Sequence, residues 1–473
     1  MSQNSRYDAV VIGAGPNGLA AAITLARAHR SVLVYEAEAT PGGGARSAGL
    51  TLPGYIHDVC SAIYPLAIGS PFFRTLPLAQ HELQWIHPPA PLAHPFDDGT
   101  AVVVERSIGA TANQLGADSA GYCRLIKYFC ARWDGLDADL LGPPRVPRHP
   151  LALARFGFYG MRPAARVARG FFAGTRARAV FAGLAAHSML PLDALGSAAF
   201  GLILAITAHS VGWPIPRGGA QKLTDALVAY ARSLGVEFCL DRRISALSEV
   251  TAARVVLCDV TPRQLLALAG KALPQYFQRR LQRFRYGMGV FKVDWALAAP
   301  VPWKAPACAR AATVHVGGSF AEIAASEHAA ARGESNERPF VLLAQPSLFD
   351  DQRAPPGKHI LWGYCHVPHG SNQNRLEQIE QQIERFAPGF RDIILARSVR
   401  APADLERHNA NLIGGDINGG AAELGQLFLR PTWRTYGTPV KGLYLCSAST
   451  PPGGGVHGMC GYFAARRALS ELA

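Results

Sequence analysis

Apolar residues fall along this chain in short runs separated by glycine-rich or polar punctuation. Tyr7 to Ile12 (YDAVVI) is too short for a helix and apolar throughout its second half, which predicts a buried strand. The pattern then becomes alanine-rich over Leu19 to Ala28, as for a packed helix, and returns to a strand at Ser31 to Tyr35, ending on Glu36. Gly287 to Trp295, Phe340 to Gln345 and Ile360 to Val367 predict further strands. Arg375 to Phe386 places Leu376, Ile379, Ile383 and Phe386 on one face of a helix. Ala321 to Arg338, polar and rich in small residues, predicts a surface helix and loop. Near the far end, Gly442 to Ser447 predicts another buried strand, followed by a helix from Met459 to Leu469. Grouped this way, the central strands predict a mixed sheet with substrate on one face and helices on the other.

The first strand delivers Gly13, Ala14, Gly15, Pro16, Asn17 and Gly18 to the start of the alanine-rich helix. Gly13 permits the tight turn, Gly15 lets backbone approach a pyrophosphate, and Gly18 allows close helix packing. The pyrophosphate is expected on the positive end of that helix. Glu36 lies about 20 residues beyond the turn, where a carboxylate accepts hydrogen bonds from adenosine ribose and repels a 2′-phosphate. Ala37 follows it, and then Pro41, Gly42, Gly43, Gly44, Ala45 and Arg46. An NAD site has no need of this second glycine run. In an FAD site such a run bends back over the pyrophosphate, with an arginine to offset its charge, so the cofactor reading is FAD.

The C-terminal strand repeats the device, delivering Gly453, Gly454, Gly455, Val456, His457 and Gly458 to a helix N-terminus. Its dipole and amides would face the flavin ring, where negative charge develops on reduction. Two turns at opposite ends of the chain would then share one cofactor.

These motifs together resemble the phytoene desaturase-like (phytoene dehydrogenase-related) family of FAD-dependent oxidoreductases, within the amine oxidase superfamily. The resemblance runs through YDAVVIGAGPNGLAAA, EAEATPGGGARS, WPIPRGGAQKL, PSLFDDQRAPPGKH, PADLERHNANLIGGDINGG and PPGGGVHG. It implies an α/β fold, a Rossmann-type FAD-binding domain interleaved with a mixed-sheet α+β substrate domain. The FAD-binding pieces would be residues 1–70, 210–285 and 400–473, and the substrate domain 71–209 and 286–399. Similar sequences have glycine where Ser447 stands, so a hydroxymethyl group meets the cofactor here. The segment Phe238 to Leu257 is shorter than in relatives, and its Arg242 to Ser248 stretch is expected to be a strand touching adenine.

Composition adds three constraints. The chain has 473 residues, 49% of them hydrophobic, enough for a large core shared by two domains. Its net charge of +13 admits nucleic acid, an anionic membrane or an acidic substrate as partner, and the placement of charge decides. Arg145, Arg148, Arg155, Arg162, Arg166, Arg169, Arg176 and Arg178 occur without one acidic residue among them, interleaved with Phe156, Phe158, Tyr159, Phe171 and Phe172. This 145–178 stretch suits an interfacial segment at an anionic membrane, or else a solvated basic face; nucleic acid is not expected. Met1 to Asp8 lacks the pattern of a signal peptide, and the apolar stretch Ala194 to Ala208 is too short to span a bilayer, so a cytoplasmic protein, peripheral at a membrane if the basic segment binds one, is expected. Nine cysteines without a CxxC suit free thiols, and neither a disulfide framework nor a metal site.

No second unit of strand, GxGxxG and helix is present to hold NAD(P)H, and no cysteine pair stands beside the flavin as a disulfide reductase requires. The expected cycle takes a hydride from substrate to flavin and passes the electrons to oxygen, a quinone or another external acceptor. The apolar stretch Ala198 to Ile206 suits a greasy substrate or a core helix, and the family resemblance implies isoprenoid or other lipid desaturation. Amine oxidation and flavin-dependent isomerisation are the alternatives. His457, beside the flavin by sequence, and His209, before the Trp213 turn, are the candidates for orienting substrate or exchanging a proton, against a role in satisfying backbone. His457 and Cys460 are also candidate points of covalent flavin attachment.

Overall fold

The structure, a computed structural model, describes residues 6–427 and 429–472. Met1 to Ser5, part of the polar opening, lie outside the described residues. Twelve strands make up the two main sheets: β1 (Tyr7–Ile12), β2 (Val32–Tyr35), β3 (Ala90–Pro95), β4 (Ala101–Val104), β5 (Glu237–Cys239), β6 (Ala253–Cys258), β7 (Gly289–Leu297), β8 (Ala311–Val316), β9 (Val341–Ala344), β10 (His359–Val367), β11 (Ile394–Arg400) and β12 (Leu443–Leu445).

One sheet is five-stranded and parallel, in the order β12-β6-β1-β2-β5. β1 and β2 are apolar runs buried on both faces, as a parallel sheet covered by helices requires. Two helices, Pro16–Ala26 and Met459–Leu472, pack against each other, and Gly461 lies so close that a Cβ there would come 1.7 Å from the Asn17 carbonyl oxygen. The nucleotide half is thus built from both ends of the chain.

The second sheet has seven strands, in the order β11-β7-β10-β9-β8-β3-β4, mostly antiparallel with one parallel pair between β8 and β3. Period-two alternation divides its faces. Phe291, Val293, Trp295, Leu343, Leu361 and Cys365 point to one side and join Ile379, Ile383 and Phe386 of the helix Leu376–Phe386 in a core. The other face meets the helices Thr175–Ala186 and Ser197–Ser210. The α/β architecture with a parallel Rossmann-like sheet and a separate mixed sheet is the one the sequence implied.

Two expectations are corrected, and one left with two readings is resolved. Arg242 to Ser248 is not a strand: β5 ends at Cys239, Asp241 takes a left-handed conformation (φ 51°), and Leu247–Glu249 is a short 3-10 helix. The amides of Asp241 and Arg242 bond instead to the carbonyls of Glu38 and Glu36. Ala198 to Ile206 lies within the helix Ser197–Ser210 and is core on most sides, with Ala198, Leu202, Ala205 and Ile206 buried. In the arginine-rich stretch, Phe156 and Phe172 are core residues too, and cannot meet a bilayer.

Candidate active site

Both glycine turns open into one cavity between the two sheets. Gly15, Pro16, Asn17, Gly43 and Gly44 line one part of it, Ser447, Ala448, Ser449, Gly455 and Val456 another, and Trp213, Lys292, Trp362 and Tyr364 the substrate-domain wall.

The first turn is held from below by a residue distant in sequence. Asp259, at the end of β6, accepts a hydrogen bond from the Gly18 amide at 2.9 Å. A Cβ on Gly15 would come 2.9 Å from the Asp259 carboxylate, and one on Gly18 would come 2.0 Å from the Gly13 carbonyl oxygen. The glycines therefore admit a carboxyl group as well as a ligand. Burial raises the Asp259 pKa to about 7, with the nearby Glu36 charge acting in the same direction. The helix Pro16–Ala26 has proline at its start, no cap from its own N-cap residue and no acid in its first turn, so Asp259 is the acid that meets its N-terminal amides.

Glu36 ends β2 as the adenosine reading requires. Its carboxylate accepts the Ala14 amide at 2.8 Å and the Glu38 amide at 3.1 Å, which fixes the group while leaving lone pairs for ribose hydroxyls. Arg46 pairs with Glu36 at 3.6 Å and donates to the Thr40 carbonyl, so its charge sits at the ribose acid and not along the pyrophosphate. Ala45 is buried and its carbonyl accepts the Thr224 hydroxyl, which pins the second glycine run to the helix Gln221–Ser233. Ala37 is half-buried beside Glu36. Gly43 takes φ 53° and packs on Gly15, the close approach that closes the second run over the first. Gly454 packs on Asn418, and Ser447 donates its hydroxyl to the Val260 carbonyl at 2.7 Å.

Both histidine candidates prove to be internal. His457 is buried, its Nδ1 accepts the Met459 amide at 3.0 Å, and it stands behind the cavity-lining Gly455 and Val456. Burial lowers its pKa to about 4. His209 bonds to the Tyr122 hydroxyl at 2.7 Å and the Arg106 carbonyl at 3.3 Å, so both ring nitrogens are engaged away from the cavity. The Cys460 thiol is buried, donating to the Thr450 and Gly453 carbonyls.

Sequence reading missed Asp259, Lys292, Trp362, Tyr364, Trp213 and His187, all of which line the cavity. A signal existed for the first two. Asp259 stands at the carboxyl end of a parallel strand, where ligands of such sheets bind. Lys292 and Asp294 are two charges at i and i+2 in an otherwise apolar strand, hence on one face. They form a buried ion pair, with burial depressing the Lys292 pKa. Among the nine cysteines, all free, Cys60 alone lines the cavity.

Residues 11–76 match the NAD(P)-binding Rossmann-like domain model. The chain is 27% identical to the mouse (Mus musculus) pyridine nucleotide-disulfide oxidoreductase domain-containing protein 2, over 98% of this chain and 94% of that protein. It is 27% identical to a Streptomyces griseus phytoene dehydrogenase over 86% of this chain and 80% of that one. Among solved structures, putrescine oxidase bound to putrescine superposes with a TM-score of 0.63 at 16% identity, covering 98% of each chain. The chain is accordingly similar in sequence to oxidoreductases, a phytoene dehydrogenase among them, and similar in fold to putrescine oxidase.

Proposed function

We propose that the protein is an FAD-dependent oxidoreductase that takes a hydride from an apolar substrate and passes the electrons to an external acceptor. The observation carrying this reading is the single cavity reached by both glycine turns, with a wall of tryptophan, tyrosine and aliphatic side chains opposite. A dinucleotide fits the residues present: a helix N-terminus whose own N-cap is a glycine, a fixed carboxylate at the end of β2, and glycines where a Cβ would close the gap. A ligand spanning from Gly15 to Val456 is longer than the first turn alone needs, which favours FAD over NAD.

Bound there, the flavin supplies hydride acceptance. The chain's own residues then do the rest. Trp362 and Tyr364, edge to face at 5.2 Å, form part of the cavity wall and exclude water. Lys292, held by Asp294 and lying over Trp362, brings a fixed positive charge to that wall. Asp294 balances that charge, and Asp259, the one acid among the cavity-lining residues, is bonded to the Gly18 amide under the nucleotide turn, so no free carboxylate awaits a protonated amine and a neutral substrate suits this cavity better. Purified protein reconstituted with FAD should show a flavin spectrum, and anaerobic bleaching by polyenes or fatty acyl compounds but not by amines is the expected pattern. Bleaching by amines alone would overturn the substrate class, and the absence of flavin uptake would overturn the reading altogether.

The basic face is proposed as a membrane-surface contact. Val146, Leu151, Phe158, Met161 and Leu195 are exposed there, and the Arg162 guanidinium stacks 3.7 Å over the Phe158 ring. This face lies on the helix Pro150–Gly160, which packs on the helix Ser197–Ser210 whose Leu204 lines the cavity. No helix among the described residues is long and apolar enough to cross a membrane. Replacing Arg162, Arg166 and Arg169 by Gln should abolish sedimentation with anionic vesicles; unchanged sedimentation would leave only a solvated basic face.

A further inference from the structure

Strand register lays the cavity-facing side chains of the mixed sheet in a row. Lys292 on β7 is opposite Tyr364 on β10, Tyr364 is opposite Leu342 on β9, and Leu342 is opposite His315 on β8. At a strand spacing of ~4.8 Å, His315 stands about 14 Å across the sheet from Lys292. At that distant end His187, a cavity-lining residue, bonds Nε2 to Nε2 with His315 at 3.0 Å. Trp213 also lines this end with its ring 6.2 Å from that of His187, and its buried indole Nε1 has no hydrogen-bond partner among the described residues.

We propose that this end of the cavity, formed by Trp213 and by His187 backed by His315, is a binding subsite for a neutral oxygen function, a hydroxyl or carbonyl, on an otherwise apolar substrate. The inference rests on the cavity being the substrate site of the proposed oxidoreductase. An indole N–H is a donor only, and left unpaired in a buried wall it costs free energy that a ligand oxygen would recover. The imidazole pair completes the site because a single shared hydrogen bond couples the two tautomers. When His315 Nε2–H donates to His187 Nε2, the His187 proton resides on Nδ1, and the ring presents a donor. When His187 Nε2–H donates, its Nδ1 becomes an acceptor and the His315 proton moves to its own Nδ1, which has no partner among the described residues. A carbonyl oxygen accepts from both Trp213 and His187. A hydroxyl accepts from Trp213 and donates to His187. Burial holds both imidazoles neutral, so a carboxylate gains no counter-charge there. With the oxygen anchored here, the carbon chain crosses Leu342 and Tyr364 and reaches Lys292 and the nucleotide wall.

The test is calorimetric titration of the FAD-loaded protein with four ligands of matched length: decanol, methyl octyl ketone, decane and decanoate. Decanol and the ketone should each bind about tenfold or more tighter than decane, the worth of one or two buried hydrogen bonds, and decanoate should show no such gain. Trp213→Phe and His187→Phe should each erase most of the oxygen preference while leaving decane affinity within about twofold. Equal affinity for decanol and decane in the unaltered protein overturns the proposal, as does a preference for decanoate. Variants that weaken decane and decanol alike also overturn it. The ratio in the unaltered protein decides the matter if a variant fails to fold. Because the readout is heat and not turnover, a protein that binds FAD but is never reduced would sink the redox reading while leaving this ratio measurable.

Discussion

Asp259 has a carboxyl group inside the protein, under the turn expected to hold a pyrophosphate. Its folded pKa of about 7 lies above its ordinary value of 3.8, so the native state holds a proton that the unfolded chain releases across that interval. Stability contributed by this site is therefore full below pH 4 and is lost as pH rises toward 7. The same ionisation places a negative charge beside the pyrophosphate. FAD affinity should fall between pH 6 and pH 8.5, and Asp259→Asn should flatten that fall; equilibrium titrations of flavin fluorescence at several pH values check both. A profile identical in the variant would assign the pH dependence elsewhere. Glu36→Ala is a second residue-scale case, since it removes the acceptor held by Ala14 and Glu38 and leaves Arg46 without its carboxylate. Loss of FAD affinity of about tenfold or more is expected, read in the same titration.

At the scale of elements, close helix packing supplies a sharp test. Gly461→Ala pushes a methyl into the Asn17 carbonyl, so the helices Pro16–Ala26 and Met459–Leu472 must separate. A loss of about 1–3 kcal/mol is expected from such overpacking, measured by denaturant unfolding, together with weaker flavin binding because Asn17 belongs to the turn. Gly157, in the helix Pro150–Gly160 with nothing near its absent Cβ, is the control: Gly157→Ala should be neutral or stabilising by up to about 1 kcal/mol. β1, β2, β7, β9, β10 and β12 were readable because each rests on local periodicity, and the Gly13 to Gly18 turn because strand, glycine and helix are contiguous, whereas β3, β4, β5, β6, β8 and β11 went unread. Lys292, His187 and Trp213 were not readable as a set. Their convergence on one cavity depends on how the helix ending at His187 and the loop carrying Trp213 pack over β7 and its neighbours, which pattern in one segment does not encode. His457 was misplaced for a related reason: sequence puts it next to Gly455, but only the hydrogen bond to Met459 shows which way the ring turns.

Over the whole molecule, the two halves are tied by a buried ion pair. Arg353, fully buried in the connection before β10, donates to Asp58 at 2.8 Å and to the Ile56 carbonyl at 3.1 Å. Asp58 also accepts the Ser47 hydroxyl and the Ala220 amide, each at 2.8 Å, which joins this link to the second glycine run and the helix Gln221–Ser233. Arg353→Met keeps the bulk but strands Asp58, and a destabilisation of about 3–5 kcal/mol is expected. Calorimetry should then show the single unfolding transition broadening or splitting; an unchanged melting profile would show that the halves are held by packing alone.

The order of strands in the parallel sheet also bears on how the protein is made. β6 pairs with β1 on one side and with β12 on the other, and β12 is synthesised long after both. Until it arrives, β6 presents a bare apolar edge of the kind that recruits other strands. The floor of the proposed flavin site is equally incomplete, so a cofactor cannot act there as an early template. Chaperone demand during synthesis, and aggregation of fragments stopped before residue 443, follow from the same late-closing edge.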